Sequence, residues 1–168
     1  YEIRLSLVGS EMCIRDRGNT KMLAEAIRDA LPEEDCDYFG PCKEVDSDML
    51  YIGFWTDKGN ADAATLKLLE TLKNKKIFLF GTAGFGVSEE YFQRILNNVK
   101  TSIDASNTIV GEYMCQGKMS QSVRDRYVMM KAQPDHMPNI DMLIENFDQA
   151  LTHPDKNDLN NLKNKIKA

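Results

Sequence analysis

The sequence has little of what marks a secreted, membrane-bound or nucleic-acid-binding chain. No apolar run approaches the roughly 20 residues a membrane span needs, and the opening YEIRLSLVG is too short and wrongly flanked for a signal peptide. The four cysteines, Cys13, Cys36, Cys42 and Cys115, show neither a CxxC pair nor zinc spacing, so they read as reduced thiols. Basic side chains are in deficit, 21 against 26 acidic for a formal charge of −5, which excludes a general nucleic-acid binder and a surface that seeks anionic lipid. Histidine is scarce too: His136 and His153 lie among Pro, Asp and Asn near the C-terminus and read as capping or solvated residues. These absences leave a cytoplasmic protein whose partners are small molecules or other proteins, with no nucleic acid and no membrane.

What is present fits one globular domain over 1–168: 42% of the residues are hydrophobic, enough for a real core. From Thr20 the apolar positions Met22, Leu23, Ala26, Ile27, Ala30 and Leu31 recur at helical spacing until Pro32. CDYFG is a short strand closed by Gly40 and Pro41, and DMLYIGFW is a continuous apolar run of the kind found in strands covered on both faces. ADAATLKLLETLKNKK carries Leu66, Leu69 and Leu72 on one helical face, and KIFLFG is another buried strand. Ser88 caps a helix with Glu89 and Glu90 in its first turn and Tyr91, Phe92, Ile95, Leu96 and Val99 inward. TIVGEYMC is the last strand. Strands alternating with helices predict an α/β fold with a parallel, doubly wound sheet and helices on both faces.

In such a sheet the ligand lies beyond the carboxyl ends of the strands. The segments leaving the strands are Gly18 to Thr20, Gly53 to Gly59 (GFWTDKG), Gly81 to Gly86 (GTAGFG) and Cys115 to Lys118 (CQGK). Bare amides at a helix N-terminus favour phosphate, and aromatic rings on neighbouring loops offer flat apolar faces. Phosphate at one loop and a planar ring between two others describe flavin mononucleotide (FMN). GTAGFG lacks the G-x-G-x-x-G order, so it is a weak dinucleotide signal.

The order of these segments resembles the flavodoxin family, whose first loop reads roughly T/S-x-T-G-N-T. GFWTDKG, FLFGTAGFG, YFQRIL and YMCQGKM followed by SVRDRY are similar to the branch of that family associated with bilirubin reductase. The resemblance runs from Gly18 to the C-terminus. It implies a three-layer sandwich with a five-stranded parallel sheet in the order 2-1-3-4-5, and a helical C-terminal extension over 119–168. It further implies an FMN site made by Gly18, Asn19, Thr20, Phe54, Trp55, Thr56, Asp57, Gly59, Gly81, Thr82, Ala83, Gly84, Phe85 and Gly86, with no catalytic residue and no metal. In the family the backbone at Asp57, Lys58 and Gly59 meets the flavin edge, and Gly59 permits a peptide reorientation. The implied function is electron delivery to a partner reductase, with bilirubin reductase a candidate.

The family would place a strand and S-x-T just before Gly18, where this chain has Arg15, Asp16 and Arg17. Leu7 to Asp16 is the one-frame translation of CTC GTG GGC TCG GAG ATG TGT ATA AGA GAC, and AG plus any purine supplies Arg17. That is the transposase adapter of sequencing-library preparation. Residues 1–17 therefore read as an assembly artefact that overwrites the true first strand. The competing reading is a genuine, divergent strand in RLSLVG. With the artefact, a fold must thread Ile3 to Val8 into the vacant slot, with a distorted loop from Gly9 to Arg17.

Alternatives remain at several positions. Trp55 either stacks on the flavin or covers a strand end, and Phe85 divides between ring contact and loop anchor. Cys115 reads as a buried small hydrophobe. Lys118, Arg124 and Arg126 either steer an acidic partner or form a solvated helix face. The acidic balance of the chain predicts a lowered flavin potential. Two other functions compete with the electron carrier: an NAD(P)H-dependent quinone or azo reductase on the same fold and cofactor, and a cofactor-free phosphorelay receiver, which would need an aspartate where Gly53, Phe54 and Trp55 stand.

Overall fold

A computed structural model describes residues 3–7, 18–31, 36–40, 48–86 and 88–167. The strands are β1 (Ile3–Leu7), β2 (Cys36–Gly40), β3 (Met49–Asp57), β4 (Asn60–Ala61), β5 (Lys76–Ala83) and β6 (Thr108–Gln116). The helices are α1 (Asn19–Ala30), α2 (Ala63–Thr71), α3 (Glu89–Lys100), α4 (Gln121–Lys131), α5 (Ile140–Ala150) and α6 (Lys156–Lys167). Five strands run parallel in the order β2-β1-β3-β5-β6, and β4 pairs antiparallel with β3. The sheet is therefore mixed, not the purely parallel one expected. The cause is local: GFWTDKG is not a loop, because β3 continues through Asp57 and folds back as a short ribbon. β1 occupies the slot between β2 and β3. The expected loop from Gly9 to Arg17 and Cys13 lie outside the described residues.

Period-two alternation along the strands builds two core layers. Leu50, Ile52, Phe54, Ile77, Leu79 and Met114 point to one face, against Leu69 and Leu72 beside α2 and Ile95, Leu96 and Val99 of α3. Tyr51, Phe78, Phe80, Tyr113 and Cys115 point to the other, against Leu23, Ala24, Ala26 and Ile27 of α1 and Leu162 of α6. Both faces are covered, which is why the strands read as unbroken apolar runs.

The C-terminal extension is not one appendage. Leu162 of α6 is fully buried, Tyr113 Oη donates to the Asp158 carbonyl at 2.7 Å, and Lys165 Nζ donates to the Glu112 carbonyl at 3.1 Å. Helix α6 thus completes the layer begun by α1. It starts with a reciprocal capping box: the Asp158 amide donates to Asp155 Oδ1 and the Asp155 amide to Asp158 Oδ2, each at 2.9 Å. His153 Nδ1 also lies 2.6 Å from Asp158 Oδ2, a capping role for this histidine. Only α4 and α5 stand outside the sandwich. No residue of α4 is buried, and the pair is joined by Arg124, whose Nε and a terminal nitrogen donate to the Asp148 carboxylate at 2.8 and 3.2 Å. Among the described residues no helix is long and apolar enough to cross a membrane.

Candidate functional site

The carboxyl ends of β3 and β5 meet α4 and the start of α3 around a cavity of about 540 Å³. Its first wall is the β3–β4 ribbon. Lys58 and Gly59, at its two-residue turn, have φ of 51° and 79°, the left-handed pair required by a type I′ hairpin. Glycine adopts this conformation freely, and lysine does so only at a cost. Asp62 anchors the ribbon from behind. Its carboxylate is 2% exposed, accepts from the Thr65 amide at 3.1 Å and the Thr65 hydroxyl at 2.8 Å, and lies 3.4 Å from the Trp55 amide. One buried side chain thereby caps α2 and fixes the backbone that carries Trp55. Burial pushes the Asp62 carboxyl above its ordinary range in spite of these donors. The Gly59 carbonyl accepts from Asn98 Nδ2 at 2.8 Å, so α3 holds the far end of the turn.

The second wall is the segment after β5. Asn146 of α5 donates through Nδ2 to the Gly84 carbonyl at 3.0 Å, and Gln116 Nε2 donates both to that carbonyl at 3.0 Å and to Asn146 Oδ1 at 3.1 Å. This three-way network sets the path of Gly84 to Gly86 and hence the place of Phe85. Met119, Ser120, Val123 and Arg126 form the third wall, and Tyr91 closes the cavity from α3. Burial raises the Tyr91 hydroxyl above its ordinary pKa, with Arg94 acting in the opposite direction. Tyr91 is therefore a neutral hydrogen-bonding group at neutral pH.

The start of α1 is tied to the residues that precede two of the lining residues, Trp55 and Met119. Thr20 Oγ1 donates to the Phe54 carbonyl at 3.2 Å, and Asn19 Nδ2 donates to the Lys118 carbonyl at 2.8 Å. Gly18, at φ 77°, gives this helix no side-chain cap, and its first turn holds no acid. Two buried polar atoms have no partner among the described residues at this end of the sheet: Asn19 Oδ1 and Trp55 Nε1.

Seven of the expected residues line the cavity: Trp55, Thr56, Gly59, Thr82, Ala83, Gly84 and Phe85. Gly18, Asn19 and Thr20 sit together at the start of α1. Asp57 is exposed on the ribbon, and Gly86 borders a second depression beyond Phe85. Phe54 and Gly81 do not line the cavity. Phe54 is fully buried in the core, because strand alternation turns it away from Trp55. Gly81 lies within β5 and makes room for the Phe54 ring that crosses it. Arg124, for which docking and a solvated helix face were the alternatives, is bound to Asp148. Cys115 is buried, and burial followed by the charges of Asp158 and Asp155 raises its pKa, so it stays a thiol. Sequence reasoning missed Tyr91, Met119, Ser120 and Val123 as lining residues, and Asp62, Gln116 and Asn146 as their supports. For Asp62 a signal existed: Asp followed three residues later by Thr before an apolar stretch is an N-cap pattern.

A model of the flavodoxin domain matches residues 15–167. The chain belongs to the flavodoxin family. Among its relatives, the flavodoxin-like domain-containing protein BilS of Clostridium symbiosum (strain WAL-14163) is 38% identical, covering 84% of this chain and 85% of that protein. BilS of Clostridioides difficile (strain CD3) is 33% identical, covering 84% of each. Among solved structures, oxidised Flavodoxin 2 from Bacillus cereus is 15% identical at a TM-score of 0.47, covering 89% of this chain and 99% of that one, a likeness too loose to argue from. Family membership removes the phosphorelay receiver from consideration.

Proposed function

We propose that this flavodoxin-family chain binds FMN and delivers electrons to a partner reductase, the partner being bilirubin reductase or a related flavoenzyme. The observation that carries the proposal is the joint placement of an aromatic-walled cavity and an uncapped helix start at the carboxyl end of one sheet. The residues present fit the cofactor. A cavity of about 540 Å³ is in the range of small-molecule sites, and Trp55 and Phe85 give it flat apolar faces. A helix start with no side-chain cap among the described residues suits a phosphate, and Asn19 Oδ1 and Trp55 Nε1, without partners among the described residues, suit a ligand with its own polar edge.

Bound FMN supplies reversible two-electron chemistry. The chain holds the ring and shields it. Asp62, Asn98, Gln116 and Asn146 fix the two segments that carry Trp55 and Phe85, so the walls are set before a ligand arrives. The names of the BilS relatives support the carrier reading at the level of the family.

Fluorescence titration of the protein with FMN tests the cofactor. Trp55→Ala should weaken binding by about 1–3 kcal/mol through lost stacking and burial, and unchanged affinity would remove Trp55 from the site. Anaerobic mixing with the purified partner tests delivery. Oxidation of NAD(P)H by this protein with no partner present would instead make it a stand-alone quinone or azo reductase.

A further inference from the structure

Among the described residues every side chain that lines the cavity is neutral except Lys58 and Arg126, in a chain whose formal charge is −5. The two come from different walls, Lys58 from the β3–β4 turn and Arg126 from α4. The other cations of α4 itself are neutralised: Arg124 by Asp148 and Lys131 by Asp141. Among the described residues neither Lys58 nor Arg126 has an ion-pair or hydrogen-bond partner. The nearest acids along the same elements, Asp57 on the turn and Asp125 on α4, are exposed and do not line the cavity, nor do Glu89 and Glu90 at the start of α3, and Asp125 accepts from Gln121 Nε2. Lys58 also holds a left-handed backbone position, φ 51°, where asparagine or glycine is the less strained residue. A lysine at that position, bordering a cavity with no acid among its described lining residues, is a feature the turn itself does not need.

We infer that Lys58 and Arg126 form a two-cation clamp that binds the ring ligand more tightly once it carries negative charge, raising the reduction potential of the bound flavin. The inference rests on the FMN reading above. When an external low-potential donor delivers two electrons and the solvent one proton, the reduced ring carries one negative charge more than the oxidised ring. Uncompensated cations on the cavity walls favour that form, and because both side chains are exposed the effect weakens as salt rises. The remaining negative charge of the chain is spread over the surface and screened within about 10 Å at 0.1 M salt. The local pair therefore outweighs the global balance, and the lowered potential expected from net charge is reversed at the ring.

The experiment compares the whole chain with Lys58→Asn, Arg126→Gln and the double variant, with Arg124→Gln as a control of equal charge change on the same helix. Circular dichroism checks folding, and Lys58→Arg restores the charge at the turn. Affinity for oxidised FMN is measured by fluorescence, and the two-electron midpoint potential of bound FMN by anaerobic equilibration with dyes and dithionite. The double variant should bind reduced FMN about tenfold less tightly relative to oxidised FMN, a midpoint lower by about 30 mV for a two-electron couple. Each single variant should show part of this shift, Lys58→Arg none, and Arg124→Gln none. Riboflavin, which has no phosphate, should show the same shift. A double variant that weakens oxidised FMN but leaves the potential unmoved would assign the cations to the phosphate and overturn the clamp, as would a shift no larger than that of Arg124→Gln. A parent chain that binds no FMN at all would overturn the cofactor reading and the clamp with it.

Discussion

Two twelve-residue helices flank the sheet from opposite faces, and they begin in opposite ways. Helix α3 is closed by its own sequence: Ser88 Oγ accepts from the Tyr91 amide at 3.2 Å, and Glu89 and Glu90 meet the positive end of the helix dipole. Helix α1 starts from Gly18 with no side-chain cap and no acid in its first turn, although Asn19 and Thr20 are 1% and 0% exposed. A helix start that satisfies itself can face water. One that is buried and uncapped next to a cavity leaves its amides to a group from outside the helix, and an anion is the group the dipole prefers.

The strongest way to sharpen this comparison is to rebuild what precedes α1. Replacing residues 1–17 by a β-branched strand and a hydroxyl-bearing S-x-T loop should raise the stability of the chain by more than about 2 kcal/mol, the worth of burying one or two aliphatic side chains. FMN binding should tighten in the same protein. Paired thermal melts and FMN titrations measure both, and equal values would show that the leading segment is authentic.

Next in size is the cap of α2. Asp62→Ala should lower stability by about 2 kcal/mol, because it strands the Thr65 amide and hydroxyl and loosens the Trp55 backbone. Its pH dependence has a definite sign. The folded chain holds the Asp62 proton more tightly than the unfolded chain does, so protonation of Asp62 adds a separate contribution to stability that is full below about pH 4 and is lost as pH rises through the raised folded value, leaving the cap itself. Asp62→Asn should flatten that part of the curve in urea melts taken at a series of pH values.

Smaller effects separate α1 from α3 directly. Ser88→Ala should cost about 1 kcal/mol of stability in denaturant unfolding and leave FMN affinity unchanged. Lys21→Glu places an acid in the first turn of α1, where it should stabilise the helix by about 0.5 kcal/mol while weakening FMN by a similar amount. Opposite signs for folding and binding at α1, with no binding effect at α3, would confirm the contrast. The same sign for both quantities at α1 would break it.

Much of the fold was legible before the structure. The apolar runs Leu50 to Phe54 and Ile77 to Phe80 are buried strands, and the helical spacing of Leu23, Ile27, Ile95, Leu96 and Val99 identifies the faces that meet the sheet. Seven of the expected residues meet at one cavity, because loops at strand ends with glycine and aromatic residues converge at the carboxyl edge of such a sheet. Phe54 lies off that cavity for a reason the sequence hides. Strand β3 continues two residues past Trp55, so alternation, not loop geometry, decides which of two adjacent aromatics faces the cavity. Val123 was missed as a cavity residue because α4 buries no residue, and its exposed pattern carries no mark of the face it turns toward β5.

By itself the sequence determined the alternation of strands and helices, the capped start of α3 and the acidic balance of the chain, because each depends on residues close together along the backbone. Only the tertiary structure decided that α6 belongs to the core while α4 and α5 form a separate wall, and that Asn146 and Gln116 hold the segment carrying Phe85. It also decided that Lys58 and Arg126, 68 positions apart, line one cavity without an acid between them. Contacts across that separation arise from how the layers pack, and no local propensity encodes them.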